Sequence, residues 1–188
     1  MYLYNYNGKD ISQIFELKNI NELYISGTNF DLTGIGNLEN LKILNIYYQY
    51  NYQTNNEVDF SPFSELSNSN LEQLSIQAPS SSTQLDIKLL NCTNINSLTL
   101  SAPLLNLEEL NKFNNLTRLS ITDSNIEDIS FISNLKQLGY LILSSNKIKD
   151  ISPLKSLEKL YYLNLTKNPI DIENETNAEV IQFLKIKR

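Results

Sequence analysis

The chain has 188 residues, of which 41% are hydrophobic and 19% charged, and this composition is typical of a folded domain. Its net charge of −6 disfavours direct contact with nucleic acid, because phosphate and carboxylate groups repel each other. The sequence has no histidine and one cysteine, which excludes an imidazole-based catalytic triad, a histidine metal site and an intrachain disulfide. We therefore expect no enzyme and no metal or cofactor.

The start of the chain, MYLYNYNGKD, lacks the basic and apolar segments of a secretory signal. No apolar run approaches the ~20 residues that a membrane-spanning helix needs. We expect a cytoplasmic monomer that does not associate with a membrane.

One spacing recurs along the chain. In its clearest copy, Leu138 begins a unit, and Leu141 and Leu143 follow with the two-residue period of a β-strand. Three-residue steps from Ile148 to Leu154 then suit a tight helical turn. Stacking such units buries a continuous apolar core. The residues that begin the units are Ile20, Leu41, Leu71, Ile95, Leu116, Leu138 and Leu160.

The pattern L-x-x-L-x-L-x-x-N-x-I followed by D-I-S-P-L resembles the leucine-rich repeat, in the 22-residue form of bacterial internalins and eukaryotic phosphatase regulators. The resemblance implies an α/β fold: a right-handed solenoid with a parallel β-sheet on its concave face and short helices or 3-10 turns on its convex face. It also implies that the asparagine satisfies backbone groups of the turn. Only Asn146 and Asn168 fill that position, and Pro79 and Pro103 stand there in the third and fourth repeats, which we expect to be the least regular.

We predict one domain over residues 1–188. Residues 1–19 would form a truncated first repeat, and residues 20–172 would form about seven repeats with a long insertion near 47–60. Residues 173–188 would form a C-terminal capping helix, because solenoid ends must shield their core. The residues of the truncated repeat that we expect to face inward are Met1, Leu3, Ile11, Ile14 and Leu17.

Two kinds of potentially reactive residue have a structural explanation. Aspartates recur at one repeat position, which indicates capping of a helical turn rather than a pair of catalytic carboxylates. Cys92 stands just before a strand, where a small buried thiol is expected. The recurring aspartates are Asp10, Asp59, Asp128, Asp150 and Asp171.

Residues that flank the inward leucines should line the concave face. Several of them are tyrosine or isoleucine, which leave apolar surface in water and are typical of protein interfaces, although both also suit β-strands and pack across them. Four tyrosines in the stretch from Tyr47 to Tyr52 indicate an adaptable binding loop on the insertion. The predicted partner-binding residues are Tyr24, Ile43, Tyr47, Tyr48, Tyr50, Tyr52, Arg118, Tyr140, Ile142 and Tyr162.

These observations predict a non-enzymatic protein-binding module that grips another protein through its concave sheet and tyrosine-rich loop. An inhibitory role is one form of this prediction, for example an immunity protein or a phage-encoded antagonist of a host nuclease, because an acidic surface suits blocking a basic partner. The alternative is a fragment of a secreted or surface adhesin of the internalin kind.

Overall fold

The computed structural model describes residues 1–6, 8, 10–28, 30–50, 57–67 and 70–186. Within these residues the chain forms a row of parallel strands, each followed by a short helical return. The strands are β1 (Tyr2–Tyr6), β2 (Glu22–Gly27), β3 (Ile43–Tyr48), β4 (Gln73–Gln77), β5 (Leu85–Asp86), β6 (Ser97–Ser101), β7 (Leu104–Leu105), β8 (Arg118–Ile121), β9 (Tyr140–Ile142) and β10 (Tyr162–Asn164).

Eight of the strands form one parallel sheet, in the order β1-β2-β3-β4-β6-β8-β9-β10. The short strands β5 and β7 pair separately. The described returns are 3-10 helices, which suit the three-residue apolar steps of the sequence. They span Ser12–Glu16, Ile35–Asn37, Ser61–Glu65, Ile87–Leu89, Leu107–Lys112, Ser130–Asn134 and Ser152–Ser156, and the α-helix α1 spans Glu175–Ile186.

The predicted inward residues of the strands form the core. Leu23, Leu44, Leu119 and Leu141 have no exposed surface, and neighbouring strands place them in register. Full burial of one such side chain stabilises the fold by about 1.5–3 kcal/mol. The last repeat is less covered, since Leu163 is only half-buried.

The first repeat differs from the prediction at two positions. Met1 and Leu17 are exposed, whereas Ile11 and Ile14 are buried as expected. Phe15 fills the core in place of Leu17, because the 3-10 helix over Ser12–Glu16 turns Phe15 rather than Leu17 inward.

The asparagine position works as the resemblance implies. The Asn146 side-chain oxygen accepts hydrogen bonds from the backbone N–H groups of Ser124 and Ile126. Its amide nitrogen donates to the carbonyls of Ile121 and Leu143. One buried side chain therefore satisfies backbone groups of two successive repeats, which would otherwise be costly to bury.

The C-terminal helix continues this arrangement. Asn177, near the start of α1, is buried, and its oxygen accepts from the Ile151 N–H at 3.1 Å. Its nitrogen donates to the carbonyls of Lys149 and Asp171. The helix is thus held to the last repeat by hydrogen bonds between the Asn177 side chain and backbone groups, and by the burial of Val180.

The third and fourth repeats carry the irregularity that was predicted from their prolines. Backbone groups there find other partners: the Pro103 carbonyl accepts from Leu85 N–H at 2.8 Å, and the Pro79 carbonyl accepts from Ser82 N–H at 2.9 Å. The irregular segments of these two repeats also pair with each other, as strands β5 and β7.

Candidate functional site

The solvent side of the eight-stranded sheet, here called the open sheet face, carries the candidate binding residues. Because side chains alternate along a strand and the strands are in register, outward residues line up in rows across the sheet. One row runs Glu22, Ile43, Gln73, Ser97, Arg118, Tyr140 and Tyr162. The next row runs Tyr2, Tyr24, Asn45, Ser75, Thr99, Ser120, Ile142 and Asn164.

The C-terminal end of the first row forms a continuous stack. The guanidinium of Arg118 lies over the Tyr140 ring, 3.9 Å from its centroid. Tyr140 in turn stacks on Tyr162, with ring centroids 4.3 Å apart and planes 6° from parallel. This Arg118–Tyr140–Tyr162 ladder presents one cation and two phenol groups on a rigid backbone. Beside it, Ser97, Thr99 and Ser120 help to line a shallow depression of about 90 Å³.

A second group of tyrosines lies at the opposite end of the open sheet face. Tyr2 stacks on Tyr24 at 4.5 Å and lies 5.8 Å from Tyr4. Tyr4, Tyr24 and Tyr47 line a cavity of about 300 Å³ together with polar residues of β3 and β4. Burial, and then the neighbouring Tyr2, raise the pKa of the Tyr24 hydroxyl above its ordinary value.

The predicted partner-binding residues therefore fall into two separated groups. Arg118, Tyr140, Ile142 and Tyr162 share the C-terminal end of the open sheet face. Tyr24, Ile43 and Tyr47 lie near its N-terminal end. Tyr2 and Tyr4 extend the N-terminal group; their alternation in β1 predicts that they face outward, although they were not among the predicted partner-binding residues.

The predicted placement of Tyr48 on an exposed binding loop is wrong. This residue ends β3 rather than lying on the insertion, and its side chain is only 5% exposed. It stacks on Phe30 at 4.6 Å and meets the edge of Phe60. Tyr50 is exposed, at 54%, as a binding loop would require. Tyr52 lies outside the described residues.

The potentially reactive residues take structural roles. Cys92 is buried, and burial raises the pKa of its thiol to about 11, so it is a poor nucleophile at neutral pH. Each recurring aspartate accepts a hydrogen bond from the backbone N–H two residues later, as predicted for a turn cap. Among the described residues, no three carboxylate or thiol groups are placed to hold a metal ion.

Comparison with known proteins identifies the repeats. A family model for leucine-rich repeats, in two copies, matches residues 114–156 and 136–174. The repeat geometry of the rest of the chain continues the same pattern. Residues 114–174 are leucine-rich repeats, and the chain as a whole has the leucine-rich-repeat fold. Proteins built from these repeats generally mediate protein–protein interactions and are typically non-enzymatic scaffolds.

Solved structures extend the likeness over nearly the whole chain. An internalin from Listeria monocytogenes is 26% identical with a TM-score of 0.66, over 97% of this chain and 57% of that one. Internalin C2 from the same species is 27% identical with a TM-score of 0.73, over 93% and 75%. A leucine-rich-repeat protein from Leptospira interrogans, at 21% identity and a TM-score of 0.63 over 94% and 50%, shares the fold.

The leucine-rich-repeat chain spans little more than half the length of the first internalin. No curated protein matches its sequence.

In the part of the chain that the structure describes, no helix has the length and apolar character of a membrane span.

Proposed function

We propose that this leucine-rich-repeat protein binds one partner protein through its open sheet face, as a monomer and without catalysis. The observation that carries the proposal is the Arg118–Tyr140–Tyr162 ladder. Tyrosine and arginine are the residue types that most often anchor protein interfaces. Here they stand side by side on a preformed sheet, so binding would order few side chains.

The ladder has an alternative explanation, since stacked side chains on adjacent strands also stabilise a sheet. Two features favour binding. Tyr162 keeps 40% of its surface exposed although it belongs to the stack. The core beneath the ladder is already closed by Leu119 and Leu141, both without exposed surface, so the sheet does not depend on the outer residues for its packing.

The tyrosines at the other end of the open sheet face would form a second contact region. Tyr4, Tyr24 and Tyr47 line the 300 Å³ cavity, which offers room for a side chain of the partner. Tyr50, exposed where the chain leaves β3, supports a contribution from the insertion. A partner that spans both regions would bury the polar middle of the sheet between two aromatic anchors.

An inhibitory role is a narrower form of the proposal. The net charge of −6 supports a basic partner, such as a nuclease, whose nucleic-acid surface the protein would cover. Such a complex should weaken steeply as salt rises, because its attraction would be largely electrostatic.

The test is paired capture from lysate of the source cells with the wild-type protein and with a Tyr140→Ala, Tyr162→Ala double variant. The matched control is Tyr161→Ala, which removes an even more exposed tyrosine that lies one residue before β10. A partner recovered by the wild type and the control but lost from the double variant supports the proposal. Recovery by all three proteins would place the binding site elsewhere.

A second candidate is a secreted or surface adhesin. The observation that favours it is the likeness to two internalins, at 26% and 27% identity. Fractionation of the source cells separates the two candidates. Protein in the cytoplasmic fraction supports the leading proposal, and protein in the medium or on the cell surface supports the adhesin.

A further inference from the structure

A cavity of about 530 Å³ lies away from the rows of the open sheet face, where β2 and β3 end and the next helical returns begin. Its walls combine two aromatic side chains, Phe30 and Tyr48, with a group of acidic residues. Cavities of this size commonly hold a small molecule or a large side chain.

The acidic residues come from three successive repeats. Asp10, Asp31 and Asp59 occupy the equivalent turn position, and Glu57 stands two residues before the last of them. None of the described lining residues is a lysine or arginine, so no positive charge in the wall offsets the four carboxylates. Asp10 and Asp31 pair as an isolated parallel β-bridge, so these two acidic residues lie side by side on neighbouring turns. The cavity therefore concentrates negative potential.

Capping of the turns occupies one carboxylate oxygen in each of Asp31 and Asp59. The Oδ1 atom of Asp31 accepts from the Thr33 backbone and hydroxyl, at 2.8 and 2.7 Å. The Oδ1 atom of Asp59 accepts from the Ser61 N–H at 2.9 Å. In both residues the bonds of the turn are made by one carboxylate oxygen, and Oδ2 is the oxygen that a ligand would contact.

Tyr48 supplies an observation that is independent of the acidic group. Its side chain lines the cavity and is almost fully buried, yet its hydroxyl has no hydrogen-bond partner among the described residues. Tyr48 shares the cavity wall with Asp31 and Asp59, and burial, with a smaller contribution from these two charges, raises the pKa of its hydroxyl. A buried polar group without a partner is rare in native proteins and calls for an explanation, of which a bound group is one.

We propose that this acidic-aromatic cavity binds the guanidinium of an arginine side chain from a protein or peptide partner. A guanidinium carries several donors in a plane, which suits carboxylates that approach from different repeats. Its flat face also packs against aromatic rings better than the compact ammonium of lysine. A metal ion is a poorer fit, because no three acidic groups among the described residues are close enough to coordinate one.

The experiment titrates the whole protein with N-acetyl-arginine amide in low salt and follows backbone amide signals by NMR. The signals of Thr33 and Ser61 should shift saturably, since their N–H groups are held by Asp31 and Asp59. An Asp31→Asn, Asp59→Asn double variant should bind at least tenfold more weakly. Asparagine keeps the capping oxygen and removes only the charge, so the variant should retain its fold.

The matched control is Asp128→Asn. Asp128 also caps its turn, with Oδ1 accepting from the Ser130 N–H at 2.7 Å and Oδ2 accepting from the Ser130 hydroxyl at 2.9 Å, but it does not line the cavity. Unchanged binding in this control supports the site. The proposal is overturned if no saturable shift occurs, or if N-acetyl-norleucine amide shifts the same signals. Equal binding of N-acetyl-lysine amide would overturn the assignment to a guanidinium.

Discussion

The guanidinium of Arg118 lies 3.9 Å from the centre of the Tyr140 ring on the adjacent parallel strand. The two side chains are neighbours in the same row of the open sheet face, although 22 residues of chain separate them. Only the stacking of repeats brings them together, and the same register adds Tyr162 to the ladder.

The first prediction separates a binding ladder from a structural one. Arg118→Ala should lower the free energy of unfolding by no more than about 1 kcal/mol, because a cation–π contact at an exposed site is worth little. Leu119→Ala, at the next residue, should cost about 2–5 kcal/mol because Leu119 has no exposed surface. Urea denaturation of the two variants measures both values. A loss for Arg118→Ala as large as that for Leu119→Ala would make the ladder a structural element.

The second prediction concerns the buried asparagine. Asn146→Ala should lower the free energy of unfolding by roughly 2–5 kcal/mol, because it leaves buried backbone groups of two repeats without partners. Asn168→Ala is the natural comparison, since its side chain bonds Ile148 and Leu143 in a less buried setting. Thermal unfolding should therefore rank Asn146→Ala as the more destabilised. An equal or reversed order would mean that burial of the asparagine does not determine how much stability its removal costs.

The third prediction follows from the raised pKa of Cys92. The thiol titrates near 11 in the folded protein and near its ordinary value of 9.0 in the unfolded chain. Between these values the unfolded chain holds fewer protons, so the free energy of unfolding should fall as pH rises from 9 to 11. Over this pH range, the ionisation of Cys92 should lower the free energy of unfolding by about 2 kcal/mol.

The measurement for this prediction is urea denaturation at several pH values for the wild type and Cys92→Ala. Burial raises the pKa of Tyr48 as well, so some loss at high pH should remain in the variant. The slope between pH 9 and 11 should nevertheless be smaller in Cys92→Ala. Identical slopes would show that the thiol is not protected in the folded state.

The fourth prediction concerns the close approach of β1 to β2. A Cβ atom added at Gly27 would lie only 2.0 Å from the backbone oxygen of Tyr6, so no larger residue fits without movement of β1. Gly27→Ala should therefore weaken the pairing of Tyr6 with Gly27 and speed hydrogen exchange of the Thr28 N–H, which donates to the Tyr6 carbonyl at 3.3 Å. Glu22→Ala on the same strand should leave this exchange unchanged. Unaltered exchange in Gly27→Ala would contradict the geometry.

Much of the fold could be predicted because the repeat imposes its period on the sequence. The apolar positions of Leu141 and Leu143 specify a strand, and the spacing after Ile148 specifies the turn. Phe15 escaped prediction because the three-residue spacing from Ile14 favoured Leu17, whereas the 3-10 helix buries the adjacent pair Ile14 and Phe15. Tyr48 was misplaced because nothing in a run of tyrosines shows where a strand ends and a loop begins.

The candidate site was less accessible to sequence reasoning. The alternation of β8, β9 and β10 identified Arg118, Tyr140 and Tyr162 as outward residues, but their stacking depends on register between strands. The acidic-aromatic cavity was not foreseen. Its aspartates are explained one at a time as turn caps, and only the folded structure brings Asp10, Asp31 and Asp59 to one wall.

The most direct measurement of the central claim is site-directed photocrosslinking to the captured partner. A p-benzoylphenylalanine in place of Tyr162 would stand on the open sheet face, and one in place of Tyr161 would stand just outside its rows, although Tyr161 is the more exposed, at 69% against 40%. If the open sheet face binds, the probe at 162 should crosslink to the partner and the probe at 161 should do so weakly or not at all. Crosslinking from 161 with none from 162 would contradict the account.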